Sequence, residues 1–314
     1  YKRWTSTGRH VLGLCVPQWF GAGDLEQDAR DAVARGATLG FQVLQRELGG
    51  CVASQWKVVD VDHRERVGAG KVKYHSALSK VAVQMSQQLQ MVQPEQVFTI
   101  GGDCSVDLAP MSYLRQRYGP RMLVAYIDAH ADLNAEWETP SGHFHGMSLR
   151  AMLGTAPKDL APAVALEASR LVLLGARDLD PAEQKFIEEN EVRMLRSSEL
   201  KDLGSETAAQ VLETVARVLD KSLLHIHLDL DVLDPAEFPH VNVPSPGGLS
   251  VMQLRQLLQS ISLQFQGRLC GLTVTEFRPR GTPWTEVETQ HCQALISSFL
   301  GPEGLDVASQ VLSW

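Results

Sequence analysis

The sequence predicts an α/β protein built on a mostly parallel sheet, and three observations lead there. Short apolar runs recur along the chain, segments with apolar residues at helical spacing lie between them, and the runs repeatedly end in Gly or Asp. Strands that alternate with helices pair in parallel, and the helices cover both faces. No Ser-, Gly- or Pro-rich linker, internal repeat or low-complexity tract divides the chain, so residues 1–314 are read as a single domain.

The elements follow in order. Residues 10–16 form a first strand ended by Pro17, and Gly21 and Gly23 loosen the loop before an Ala-rich helix over 25–48 that Gly49 and Gly50 stop. A β-type run covers 57–61, and a helix covers 75–91 until Pro94. The strand 97–100 ends in Gly-Gly-Asp-Cys-Ser at 101–105, and helical character resumes over 106–118, so this motif sits on a strand-to-helix turn. The strand 122–127 enters an acidic motif and then a Ser-, Thr-, Gly- and Pro-rich loop over 134–145. Strand 171–174 follows, then a helix begun by Pro181 and running to 190, strand 192–195 and helix 206–219. Strand 223–228 enters a second acidic motif and a long loop; helix 251–261, strand 269–275 ending at Glu276, and helix 286–300 close the chain.

Composition narrows the function. The chain is 44% hydrophobic and 21% charged, ordinary globular values, and its net charge of -8 supplies no basic field for a phosphate backbone. No Lys/Arg cluster reads as a nucleic-acid or membrane patch, no run approaches a membrane span, and no secretory signal is legible, so a cytoplasmic protein acting on a small molecule is expected. Five widely spaced cysteines without a C-x-x-C argue against a disulfide framework and for a reducing compartment.

The chemistry concentrates in the two acidic motifs. Asp128, His130 and Asp132 stand at i, i+2 and i+4 behind an apolar run, and Asp229 and Asp231 repeat the spacing behind another. Strand side chains alternate faces, so each set can converge on one spot beyond its strand. Four carboxylates and an imidazole suit a divalent first-row metal such as Mn²⁺ better than a structural zinc. Bridging carboxylates can hold two metals about 3.5–4 Å apart around a shared, acidified water.

Gly-Gly-Asp-Cys-Ser at 101–105, Asp-Ala-His-Ala-Asp-Leu-Asn at 128–134 and His-Leu-Asp-Leu-Asp-Val-Leu-Asp-Pro at 227–235 together resemble the signatures of the arginase, or ureohydrolase, superfamily. The resemblance implies a three-layer α/β/α fold with an eight-stranded sheet, two Mn²⁺ ions at its C-terminal edge, hydrolysis of a guanidino or related C–N bond, and a homotrimer or hexamer. It implies that residue 104 with Asp128, Asp132 and Asp229 holds one metal, and His130 with Asp128, Asp229 and Asp231 the other. Asp128 and Asp229 would bridge. Asp132 would also orient the nucleophile.

The loop that begins at Asn134 and continues through Thr139, Ser141, His143 and His145 is similar to the arginase branch, whose loop grips the α-carboxylate and α-amino group of an amino acid. Asp180 falls where that branch places a partner for the ammonium group. The resemblance assigns His145 as a proton shuttle and Glu276 as the carboxylate that receives the guanidinium, a pairing that suits the fork geometry of the cation. The implied substrate is L-arginine or a close guanidino amino acid, giving ornithine and urea. His225, His227, His240 and His291 match no catalytic position and are read as structural.

Two positions depart from the pattern. The family carries histidine where this chain has Cys104, a soft donor to which Mn²⁺ is poorly matched. This departure raises two other readings, a hydrolase of N-hydroxy-L-arginine and a protein with weakened metal binding that acts by binding rather than catalysis. Near the N-terminus, Phe20-Gly-Ala-Gly-Asp24 stands in place of an Arg-Gly-Gly loop.

Overall fold

The computed structural model describes residues 10–48, 55–65, 68, 70–203, 205–217 and 222–279. Its strands are β1 Val11–Val16, β2 Gln55–Val58, β3 Gln96–Gly101, β4 Met122–Ile127, β5 Leu171–Gly175, β6 Arg193–Arg196, β7 Leu223–Asp229 and β8 Leu269–Thr275. Between them lie α1 Gln27–Leu48, α2 His75–Val92, α3 Leu108–Tyr118, α4 Ser148–Met152, α5 Pro181–Glu189, α6 Ser197–Leu203, α7 Ser205–Ala216 and α8 Val251–Gln264.

All eight strands join one sheet in the order β2-β1-β3-β8-β7-β4-β5-β6, and every pairing is parallel. The inner strands β3 and β4 are buried at every position and β7 and β8 at nearly every one, whereas the edge strands β2 and β6 are partly exposed. Burial on both faces is why β4 reads as an unbroken apolar run, and it takes in the polar residues of β3 and β7 as well, since Thr99, His225 and His227 are fully buried. One face packs against α6, α7 and α8 through Leu200, Leu212, Leu254 and Leu258, and the other against α2 and α3 through Leu78, Met85, Met111 and Leu114. The result is a three-layer α/β/α fold.

Element boundaries differ from expectation where a local hydrogen bond decides them. Strand β2 covers Gln55–Val58 rather than 57–61. Its ladder ends because Val59 makes its last bond, to Cys15 O at 2.8 Å, just before β1 itself stops at Pro17. The turn after β3 is a 3₁₀ segment, Cys104–Asp107, and α3 starts only at Leu108. Pro110 has no N–H to donate to the carbonyl of Val106, so the α-helical ladder cannot begin earlier. The short helices α4 and α6 have too few turns to leave a readable period. The expected helix over 286–300, with Cys51, His291 and Cys292, lies outside the described residues.

Candidate metal centre and active site

The C-terminal ends of β3, β4, β5, β7 and β8 point the same way in a parallel sheet, so the motifs that follow them meet at one edge. Each is fixed by its own backbone. After β3, the Asp103 carboxylate accepts from Ser105 N at 2.9 Å and from Gly21 N at 3.0 Å, which turns the chain and aims Cys104 at the cleft. Gly102 allows this turn, since a Cβ there would lie 1.8 Å from the carbonyl oxygen of Gln18. After β4, Asp128 Oδ1 accepts from His130 N at 2.7 Å, and after β7, Asp229 Oδ1 accepts from Asp231 N at 2.7 Å. The same Asx-type hook thus closes both acidic motifs.

Two donor sets result. Cys104, Asp128, His227 and Asp229 each bring a ligand-type atom within 4.8 Å of the others, and so do Asp128, His130 and Asp231. Cys104 Sγ is 2.9 Å from Asp229 Oδ2, and His130 Nδ1 is 3.0 Å from Asp231 Oδ2. Asp128 belongs to both sets; Asp229, expected to bridge, belongs only to the first. Asp132 stands outside both: its backbone turns at φ 54°, and its Oδ2 accepts from Tyr126 Oη at 2.5 Å and Ser148 Oγ at 3.3 Å.

The electrostatics of the floor are those of a cation site. Asp128, Asp132, Asp229, Asp231 and Glu276 are all at most 4% exposed. Burial, then the charges of Asp231 and Asp132, push Asp128 well above the usual carboxylate range, and burial with Asp231 and Asp128 does the same to Asp229. Burial and the charge of Asp229 likewise raise the Cys104 thiol. Asp231 goes the other way: its burial is outweighed by the adjacent His130 ring, which holds it low. Asp128 Oδ2 and Glu276 Oε2 are buried without a hydrogen-bond partner. Crowded, buried acids with an orphaned oxygen are what dications satisfy, so the residues fit a pair of divalent metals.

Glu276 follows β8 in a left-handed turn, φ 63°, held by its N–H on Gly102 O at 3.1 Å. Its Oε1 faces His145 Nδ1 at 3.1 Å and accepts from Cys104 N at 3.3 Å. Burial alone would depress His145, but the hydrogen bond and charge of Glu276 raise it to about 9.

A cleft of about 290 Å³ opens above this floor, lined by Cys104, His130, Asp132, His145, Asp229 and Asp231 below and by Asn134, Thr139, Ser141, His143 and Asp180 toward the rim. Asp128 and Glu276 lie behind that lining. Asn134 N bonds Gly146 O at 3.1 Å and closes the loop at its base, while Asn134 Nδ2 donates to Asp180 Oδ2 at 2.7 Å. Thr139 Oγ1 accepts from Gly142 N at 3.1 Å and Ser141 Oγ from His143 N at 3.2 Å, and the two hydroxyls lie 3.5 Å apart, so with one donating to the other a hydroxyl proton remains for another acceptor. His143 Nε2 lies 3.3 Å from Lys73 Nζ, and burial with the charges of His145 and Lys73 lowers it to about 4. The departing loop near the N-terminus packs beneath this rim: Gly23, at φ 78°, sits where a Cβ would be 2.1 Å from the His143 ring.

Several residues here escaped the sequence reading. His227, read as structural, is a member of the first donor set. It stands two residues before Asp229 on β7 and shares its face, so the period-2 argument applied to the aspartates extends back to it. Glu183, three residues after Asp180, lines the cleft, and its Oε2 accepts from Asp180 N at 2.9 Å; an acid at that spacing is a capping-box signal. Asp107, which holds His225 and His227, lies in a turn with no pattern to mark it.

Comparison with known proteins bears on the same features. The family model described as "Arginase family" matches residues 26–299. The arginase of Staphylococcus aureus strain COL is 34% identical over 153 residues, which are 48% of this chain and 50% of that protein, so the match spans about half the relative's length. The arginase of Bacillus caldovelox superposes with a TM-score of 0.79 at 22% identity, covering 94% of this chain and 99% of the other. The Entamoeba histolytica arginase, solved with L-ornithine, gives 0.78 at 20% identity over 93% and 98%. The family model runs from α1 past both acidic motifs and beyond β8, and so takes in the ends of β3, β4, β5, β7 and β8 where the motifs meet; the chain belongs to the arginase family.

Proposed function

We propose that this protein is a binuclear metallohydrolase that cleaves the guanidino group of L-arginine or a close guanidino amino acid, giving ornithine and urea. One observation carries the reading: a cleft of about 290 Å³ has buried acids and an imidazole at its floor and hydroxyls, an amide and Asp180 at its rim. That volume suits one small ligand with a reactive end down and two charged groups up. The Entamoeba relative, solved with L-ornithine, is a neighbour of the same fold.

Asp128, Asp229 and Cys104 would hold one ion, and Asp128, His130 and Asp231 the other, where the oxygen and nitrogen donors suit Mn²⁺. Such dications, when bound, neutralise the acids and acidify water into a nucleophile at neutral pH. Asp132, whose Oδ2 accepts from Tyr126 and Ser148, would orient that nucleophile. Glu276, with Oε2 free of protein partners, would receive the guanidinium. His145 holds Glu276 through Nδ1 and lines the cleft, which leaves its other nitrogen to pass a proton to the leaving amine. Asp180 would pair with the α-ammonium group, and the hydroxyls of Thr139 and Ser141, with Asn134 and His143, would meet the α-carboxylate.

The test is urea release from a panel of guanidino compounds by the metal-loaded protein. L-arginine should be turned over and agmatine, which lacks the carboxylate, should be a poor substrate. Loaded protein that releases no urea from any guanidino amino acid would sink the reading. Cys104 motivates including N-hydroxy-L-arginine: a preference for it over arginine would assign the substrate to the hydroxyguanidine instead.

A further inference from the structure

We infer that His227 is a metal ligand, and that with Cys104, Asp128 and Asp229 it builds a mixed sulfur, nitrogen and oxygen position selective for a softer dication such as Zn²⁺, Co²⁺ or Fe²⁺. The neighbouring position of Asp128, His130 and Asp231 has only nitrogen and oxygen donors. The inference rests on the metallohydrolase reading and specifies one half of its metal centre.

The geometry places an imidazole nitrogen of His227 within 4.8 Å of ligand atoms from Cys104, Asp128 and Asp229. The ring is held on three sides. Its Nδ1 is 2.9 Å from Asp107 Oδ2, its face stacks on Tyr126 with centroids 4.0 Å apart and planes 3° from parallel, and Nε2 is 3.5 Å from Thr275 Oγ1. Thr275 Oγ1 is itself 3.5 Å from Cys104 Sγ, so Nε2 is the nitrogen on the cluster side.

Asp107 decides what that nitrogen can do. As a carboxylate it only accepts, and it is filled by His225 Nε2 at 2.9 Å, His227 Nδ1 at 2.9 Å and Thr273 Oγ1 at 2.5 Å. The proton of neutral His227 is therefore fixed on Nδ1, and Nε2 presents its lone pair to the cluster, as in carboxylate–histidine–metal arrangements. A purely structural histidine would find a good partner for that lone pair; among the described residues its hydrogen-bond contact is a hydroxyl at 3.5 Å, the limit of hydrogen bonding. Two further observations point to an ion. Asp128 Oδ2 is buried with no partner, and the four atoms gathered within 4.8 Å on this side come from Cys104, Asp128, His227 and Asp229, whereas Asp132, its Oδ2 turned to Tyr126 and Ser148, is not among them. Thiolate and imidazole donors together favour zinc-like ions over Mn²⁺.

Titration of metal-free protein with Co²⁺, followed by absorption and by metal count, tests this. The wild-type chain should bind two ions, one of them with a sulfur-to-cobalt charge-transfer band. His227→Gln should weaken that ion by on the order of a hundredfold or more, since even partners behind a ligand are worth roughly ten- to a hundredfold; the other ion should remain. Because His227 is fully buried and its replacement disturbs the packing around it, a second measurement keeps His227 in place. In His130→Ala, which removes the other imidazole, X-ray absorption of the single bound cobalt should show sulfur and imidazole in one shell. Sulfur without imidazole there, or an unchanged titration in folded His227→Gln, overturns the inference and leaves a two-metal enzyme intact. Failure of the wild-type chain to retain any Co²⁺ overturns the metallohydrolase reading and the inference with it.

Discussion

Leu133 and Glu183 tie the two walls of the cleft together: the Leu133 N–H donates to Glu183 Oε1 at 2.9 Å, while Oε2 of the same carboxylate accepts from Asp180 N at 2.9 Å. One side chain thus sets the distance between the first acidic motif and the residue assigned to the substrate's ammonium group.

That buried carboxylate has a pH signature. Burial raises Glu183 from 4.5 to about 7 against its two backbone hydrogen bonds. Between these values the folded state holds a proton that the unfolded state has released, so this residue's contribution to stability falls as pH rises from 4.5 to about 7 and is then constant. The stability of wild type relative to Glu183→Gln should decline across that window by up to about 3 kcal/mol. Denaturant midpoints of both proteins at several pH values measure it; a difference that does not change with pH would refute it.

Asp180→Ala should raise KM for an amino-acid substrate far more than for a decarboxylated one, because only the former carries an α-ammonium ion to place. The loss of Asn134's 2.7 Å partner should be felt equally by both substrates, which separates binding from loop disorder. Steady-state kinetics on arginine and agmatine decide between them.

His145→Asn removes the proton-carrying ring while keeping a polar group beside Glu276. Turnover should fall about 10²–10⁴-fold, the usual range for a positioned acid or base. Metal stoichiometry should stay the same, since His145 belongs to neither donor set. Loss of bound metal in this variant would mean that the histidine supports the metal centre rather than the proton transfer.

Cys104→His exchanges the soft donor for a nitrogen, so its preference should move from Zn²⁺ or Co²⁺ toward Mn²⁺ by about tenfold or more in competition calorimetry. An unchanged ratio would make Cys104 a packing residue, in keeping with its 2% exposure.

The sequence by itself determined the layer architecture and the edge at which the motifs meet. Period and run length are local properties: the mainly apolar runs at 97–100, 122–127 and 223–228, interrupted by Thr99, His225 and His227, reflect strands covered on both faces, and the aspartates behind them had to fall at strand ends. The paired aspartates were legible for the same reason, since i, i+2 spacing fixes the face whatever the partner strand. Which donor atoms gather into one set was decided only by the tertiary structure. Cys104 and His227 are 123 positions apart in sequence and meet because β3 and β7 flank β8 in the sheet order, while Asp107, from the turn after β3, fixes the His227 ring from behind. Strand order and the second layer of hydrogen bonds are properties of the packed sheet, and no local pattern encodes them.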